Sequence, residues 1–330
     1  MASLPLLEHE LIVVTGKGGV GKTVVAAALA SMAAAKGRET LLIEMVNHPK
    51  AATLFGVDPQ GYEPVEVQEH LHLSRLTPAE CLEEIAVMRL KLRALYKLVF
   101  QNKAVSAVMG FMPGMNELLV LGKVVYMVNK GLHRAGRHAF DLVIVDGPPT
   151  GEGLAMLQFP RTIRQAVKAG PLVRDVGIME DLLTDPGRTA MAVITAPEEL
   201  PVNEALELTA GLDELDMLQG GTLFVNRVTP SFFDPRTRDA LQRFRRAVRT
   251  TGRKQDPGVL AQLSVHRHLI ERRDREQAEI QRLRRGAPVP IVELPEIPST
   301  KFGPVELAHL VRHLTRGLEM TRATRVEGSA

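Results

Sequence analysis

An α/β fold, doubly wound around a mostly parallel sheet of seven or eight strands, is what this sequence predicts. Three observations predict it. Seven apolar runs, at about 11–15, 40–44, 71–76, 140–145, 189–195, 221–226 and 289–294, alternate with helical stretches, and such alternation builds a parallel sheet with helices on both faces. A glycine-rich loop joins the first run to an Ala-rich helical stretch. The fourth run ends in an acid, Asp146, followed by a Gly-Pro-Pro turn.

The first run, Leu-Ile-Val-Val-Thr, is apolar without a break, as a strand covered on both faces must be. Residues 16–23 follow and read Gly-Lys-Gly-Gly-Val-Gly-Lys-Thr. This is a phosphate-binding loop (a P-loop) in its expected setting between strand and helix. Gly16, Gly18, Gly19, Val20 and Gly21 let backbone N–H groups turn inward toward a phosphate chain. The helix start adds its positive dipole end. Lys22 is the candidate for the β- and γ-phosphates, and the Thr23 hydroxyl for Mg²⁺. A second lysine, Lys17, sits just after the first glycine, at the far end of the loop from its own γ-phosphate. The strand at 140–145 places Asp146 where a carboxylate completes the Mg²⁺ shell.

The turn after Asp146 resembles the second switch of the ArsA family, the arsenite-pump ATPases and the targeting ATPases for tail-anchored proteins. Its usual form is Asp-Thr-Ala-Pro-Thr-Gly-His. Asp146, Pro149, Thr150 and Gly151 match it; Gly147, Pro148 and Glu152 depart. Phe-Met-Pro-Gly-Met-Asn-Glu at 111–117 is similar to a Pro-Gly-(apolar)-Asp-Glu segment of that family. Thr-Ala-Pro-Glu-Glu-Leu-Pro-Val-Asn-Glu at 195–204 resembles its late Pro-Glu segment. Leu-Phe-Val-Asn at 223–226 looks like the strand whose Asn226 reads adenine, and Val-Glu-Leu-Pro at 292–295 like the last strand, with Pro295 closing over the base.

The resemblance implies a P-loop ATPase using ATP and Mg²⁺, active as a dimer with two ATP molecules face to face. Lys17 would then cross the interface to the partner's nucleotide. Arsenite pumps often fuse two halves in one chain. This chain has one half, so it pairs with a second copy or with a paralogous ATPase. The implied target is a partner protein, either a membrane permease or an apolar helix client.

One departure bears on catalysis. Relatives place an aspartate just after the second strand. Here the segment reads Leu-Leu-Ile-Glu-Met-Val-Asn-His-Pro, and the matching position is Val46, or Asn47 if the register slips by one. Neither side chain can act as a base. Asn47 can orient a water through its amide oxygen, and Glu44 can reach metal-bound water, replace the base, or stand behind it. Slow hydrolysis is expected, since losing a water-orienting group costs ~10²–10⁴-fold where general base catalysis was used. Two alternatives stay open: a nucleotide-gated scaffold, and the weaker subunit of a heterodimer.

The chain has 330 residues, 45% apolar and 24% charged, with no Trp. That suits one large domain with a core of Val, Leu, Ile, Ala and Met. A helical insertion is expected at 78–138. Its methionines, Met88, Met109, Met112, Met115 and Met127, suit a groove for an apolar helix, or equally a core or dimer contact. The stretch 104–115 is expected to be exposed in one nucleotide state. Cys81 stands alone, which excludes an internal disulfide, a cluster shared through two cysteines per subunit, a Cys-x-x-Cys zinc clasp and a multi-thiolate arsenite site. The start lacks a cationic leader, and the apolar runs are too short to span a bilayer, so a cytoplasmic protein without stable membrane insertion is expected.

Residues 236–285 hold 15 Lys/Arg and 6 Asp/Glu, while the whole chain is only +3. A single aromatic, Phe244, stands among these charges, and with Leu241 and Val248 it marks the apolar face of a helix, not an interleaved platform for base stacking. The charges read as solvated amphipathic helices, and no nucleic acid is expected. A partitioning ATPase is disfavoured because the polar C-terminal stretch lacks an apolar face.

Overall fold

A computed structural model describes residues 6–45, 50–58, 61–90, 115–130, 139–167, 169–230, 257–327 and scattered positions between 236 and 246. The strands in chain order are β1 (Leu11–Gly16), β2 (Thr40–Glu44), β3 (Val65–Gln68), β4 (Leu71–Arg75), β5 (Leu142–Pro149), β6 (Thr189–Thr195), β7 (Thr222–Val228) and β8 (Ile291–Pro295). They form one sheet in the order β3-β4-β2-β5-β1-β6-β7-β8. Every pairing is parallel except β3 with β4.

The doubly wound sheet is therefore present, with eight strands. The strand that the apolar runs do not mark is β3, Val-Glu-Val-Gln. It sits at the sheet edge, largely exposed, and joins β4 through a turn in which His70 takes a left-handed φ of 60°. An exposed edge strand has little core to bury and can carry charge, so it leaves no apolar run to read.

Both faces of the sheet are covered, and alternate residues of each strand divide between them. Ile12, Val14, Leu42, Ile144, Ala192 and Phe224 face α1 (Lys22–Ala34), α2 (Ala51–Phe55) and α9 (Pro304–Glu327). Leu11, Val13, Leu41, Ile43, Val143, Val145, Met191 and Val193 face the other layer. That layer contains α4 (Met115–Lys130), α5 (Thr150–Ala166), α6 (Pro171–Thr184), α7 (Glu199–Glu214) and α8 (Pro257–Gly286), with α3 (Pro78–Leu90) beside α4. This double burial explains why the central strands read as continuous apolar runs.

The first helix follows from its composition. Val25, the alanines at 26–28, 30 and 33, and Leu29 are all fully buried. Small side chains let α1 lie close against β1 and β5, which holds the loop ahead of it.

The basic expectation at 236–285 falls partly on α8. There Arg272 bonds Glu276 and Glu296, each at 2.8 Å, Arg282 bonds Glu279 at 2.6 Å, and Arg284 bonds Glu293 at 2.8 Å. Ile280 and Leu283 are buried. Several of its arginines thus serve ion pairs along a docked amphipathic helix. Of the expected insertion, α3 and α4 are described, while 91–114 and 131–138 lie outside the described residues, and most of the stretch 104–115 falls there. Met127 is 6% exposed and packs in the core. Among the described residues, no helix is long and apolar enough to cross a membrane.

Candidate functional site

The C-terminal ends of β2, β5, β1 and β6 lie side by side, and in an open parallel sheet this is the edge where ligands bind. The loop after β1 leads directly into α1. Gly21 takes the residue position before the helix with φ 99°, and a Cβ there would stand 2.3 Å from Asn226 Nδ2. Gly16 has φ 143°, and a Cβ on it would meet Ile194 O at 2.0 Å. Glycine is thus demanded both by conformation and by close approach.

Lys22 donates from Nζ to Gly16 O at 3.0 Å and to Lys17 O at 3.3 Å, so its amine lies across the loop. Burial draws its pKa below the ordinary lysine value, against the opposing pull of Asp146 and Glu152. Glu152 departs from the family's His, and its charge is felt at Lys22.

Thr23 Oγ1 donates to Asp146 Oδ2 at 2.6 Å, joining the loop to β5, which runs on past the acid through Gly147, Pro148 and Pro149 where the sequence suggested a turn. Asp146 is 3% exposed. Burial is the main reason its carboxyl is pushed up to about 6. The Glu44 charge adds to the push, while the Thr23 bond and Lys22 hold it back. Glu44 is Asp146's register partner on β2 and is 1% exposed. Its Oε1 accepts from Lys50 N at 2.7 Å and Ala51 N at 2.9 Å, the entry to α2. Its Oε2 is buried without a hydrogen-bond partner among the described residues. Burial holds the Glu44 carboxyl above the usual glutamate range despite those two N–H bonds.

Two buried acids in register, one with an unpartnered oxygen, make a costly arrangement unless a cation shares it. With a hydroxyl beside them, the donor set is all oxygen and fits Mg²⁺. Val46 and Asn47 lie outside the described residues.

Beside the loop opens a cavity of about 770 Å³, bordered by Gly21, Asn226, Arg227, Pro295, Phe302 and Leu310 among others. Asn226 and Pro295, proposed from sequence as base contacts, are both on its wall. Asn226 Nδ2 donates to Val20 O at 2.9 Å. One amide N–H is thereby committed, which leaves the second N–H and the Oδ1 acceptor for a ligand.

Lys17 takes an unexpected position. Its amine forms an ion pair with Glu204 of its own chain, from α7. The other Glu204 oxygen accepts from Thr150 Oγ1 at 3.3 Å. Sequence reasoning quoted Glu204 only as the end of a matching segment. It also passed over Arg227, which follows Asn226, holds a left-handed φ of 59° and interrupts the β7–β8 register. A non-glycine residue held in that region beside a ligand cavity is a common mark of a functional wall. The segment after Pro295, which supplies Ile297 and Phe302, carried no signal beyond its Pro-Glu-Ile-Pro composition.

Together, the loop, the acid-bearing strand and the cavity define a P-loop nucleotide-binding protein with an α/β sheet. The family model for anion-transporting ATPases of the ArsA type matches residues 9–176, which include the loop and Asp146. The chain is 31% identical to ATPase BagA of Mycobacterium tuberculosis over 232 residues, 68% of this chain and 67% of that one. It belongs to the ArsA family of ATPases. It is also 27% identical to ATPase GET3 of Eremothecium gossypii over 251 residues, 63% of this chain and 69% of that one. A Chlorobaculum tepidum protein described as an arsenical pump-driving ATPase is 31% identical over 163 residues, but that covers only 38% of its length.

Proposed function

We propose that this chain is a Mg²⁺-dependent ATPase that works in pairs, with nucleotide-driven opening and closing of the pair acting on a partner protein. The observation that carries the reading is the Thr23–Asp146 bond, which brings loop and acid together across 123 residues of sequence. Backbone N–H groups of residues 16–23 bind the phosphates and Lys22 orients the terminal ones. Thr23 and Asp146 would hold Mg²⁺, which when bound neutralises charge on the β- and γ-phosphates.

We assign base selection to Asn226, whose residue borders the cavity. Its Oδ1 would accept from the exocyclic amine at C6 of adenine, the position at which guanine carries a carbonyl with no proton to give. ATP is the nucleotide this assignment favours.

Hydrolysis by the chain alone is slow, because the position that carries aspartate in relatives is Val46, or Asn47 in the register shifted by one. Glu44 supports this reading. One of its oxygens is taken by the entry to α2, and its burial deprives it of the water contact a general base needs. Lys17 acts across the interface on the partner's nucleotide. A second copy or a paralogous ATPase serves as partner, and the paralogue would supply the missing aspartate. The alternative is a scaffold that binds ATP and scarcely turns it over. The target is a membrane permease or an apolar helix client, and the Chlorobaculum tepidum relative's name, an arsenical pump-driving ATPase, supports the first. Metalloid capture by this chain is disfavoured, since Cys81 is buried and its thiol is pushed up to about 12 by that burial. We infer a cytoplasmic location.

Steady-state ATP turnover of wild type, Val46→Asp and Lys17→Ala tests this. Slow wild type, a gain in Val46→Asp and its loss when Lys17→Ala is added are expected. Wild-type turnover already equal to that of Val46→Asp would defeat the reading of Val46 and return Glu44 or Asn47 as the group that orients water.

A further inference from the structure

Glu204 ties three parts of the site together. It sits in the second turn of α7, and its carboxylate receives the Lys17 amine on one oxygen and the Thr150 hydroxyl on the other. Thr150 is the first residue of α5, four positions beyond Asp146. The Lys17 and Glu204 side chains are 27% and 31% exposed. The pair therefore lies at the surface of the phosphate loop, where another molecule can reach it.

A lysine that must serve a nucleotide on another chain cannot be held at the same time by its own. We propose that Glu204 is the intramolecular counter-ion that keeps Lys17 on its own chain, and that two nucleotide-bound chains pair by exchanging Glu204 for a phosphate of the partner's nucleotide. This rests on the paired reading above and names the residue that sets its threshold. The chemistry favours exchange. Lysine is a compact charge on a flexible four-carbon stem and can swing between acceptors without refolding the loop. A triphosphate carries more negative charge than one carboxylate, and an ion pair partly open to water is weak enough to give way. Thr150 gives the exchange a route to the cation site, since movement of the β5–α5 junction that carries Asp146 also moves a donor to Glu204.

The test uses the full chain and its Glu204→Gln variant, which removes the charge and keeps an acceptor for Thr150. The first readout is acylation of Lys17 by acetic anhydride in the nucleotide-free monomer, followed by mass spectrometry against exposed Lys36. The second is the dimer dissociation constant with Mg²⁺ and a non-hydrolysable ATP analogue, by sedimentation. Glu204→Gln is expected to raise Lys17 acylation several-fold relative to Lys36. It should also tighten the dimer about tenfold, as loss of one weak ion pair in each subunit implies. Glu204→Asp, which keeps the charge, is expected to stay near wild type in both, which a purely structural role would not distinguish from Gln. Unchanged acylation in Glu204→Gln overturns the proposal. Raised acylation with an unchanged dimer constant overturns it too, showing that the pair exists but does not restrain assembly. Dimers from neither protein, with acylation raised, defeat the paired reading itself, and the proposal falls with it.

Discussion

Replacing Asp146 with Asn separates what the carboxylate costs the fold from what it does for nucleotide. The group's ordinary value is 3.8, and in the folded chain burial is the main cause that pushes it up to about 6. The folded protein therefore holds a proton that the unfolded chain has released between those values. An acid shifted in this direction stabilises the fold at low pH, and the benefit is lost as pH rises through about 6. Above that pH the folded state carries a buried charge at a cost of about 3 kcal/mol. Asn is nearly the same size, can still accept from Thr23, and carries no charge. With EDTA present and no nucleotide, Asp146→Asn should be more stable than wild type at pH 8. For 330 residues the unfolding entropy is roughly 0.7 kcal/mol per kelvin, so the melting temperature should rise by about 4 °C. At pH 4.5 most of the difference disappears, leaving roughly 1.5 °C. Differential scanning fluorimetry at the two pH values reads this directly. Equal offsets at both would mean that ionised Asp146 is not penalised in the fold, and the argument for a cation-seeking pair of acids would lose its basis. With Mg²⁺ and ATP added the order should reverse, wild type gaining more than the variant.

Three further outcomes follow from the same geometry. Asn226→Ala should cut the preference for ATP over GTP by ~10-fold in equilibrium binding, the size of one directed hydrogen bond; an unchanged ratio would remove Asn226 from base selection. Gly21→Ala should abolish nucleotide binding by isothermal titration, because its Cβ would stand 2.3 Å from Asn226 Nδ2 at a φ of 99°; retained affinity would show that the loop can relax. Cys81, buried with its thiol pushed up to about 12, should resist a thiol reagent at pH 8 in the native protein and react at once in urea; rapid native labelling would contradict its burial.

The loop from Gly16 to Thr23, the run ending in Asp146 and the alternation of apolar and helical segments were all legible in the chain itself. Their physics is local: a phosphate loop needs closely spaced glycines, and a strand buried on both faces needs an unbroken apolar run. Asn226 and Pro295 were legible only by resemblance, because nothing in their own neighbourhoods announces a base. The tertiary structure decided the rest. It set Glu44 in register with Asp146, since which strands become neighbours depends on the winding of the whole sheet. It turned the Asn226 amide by giving its nitrogen to Val20. It brought Glu204 to Lys17 across 187 residues, where neither residue's surroundings in sequence hint at the other. Edge strand β3 is hard to read for the opposite reason, since a strand with little to bury needs few apolar residues, and the two valines of Val-Glu-Val-Gln are too short an alternation to mark it. Sequence determined which chemistry the chain carries, because residue type and short spacing encode it. Only the fold determined which charges face one another, because long-range pairing is a property of the packed sheet.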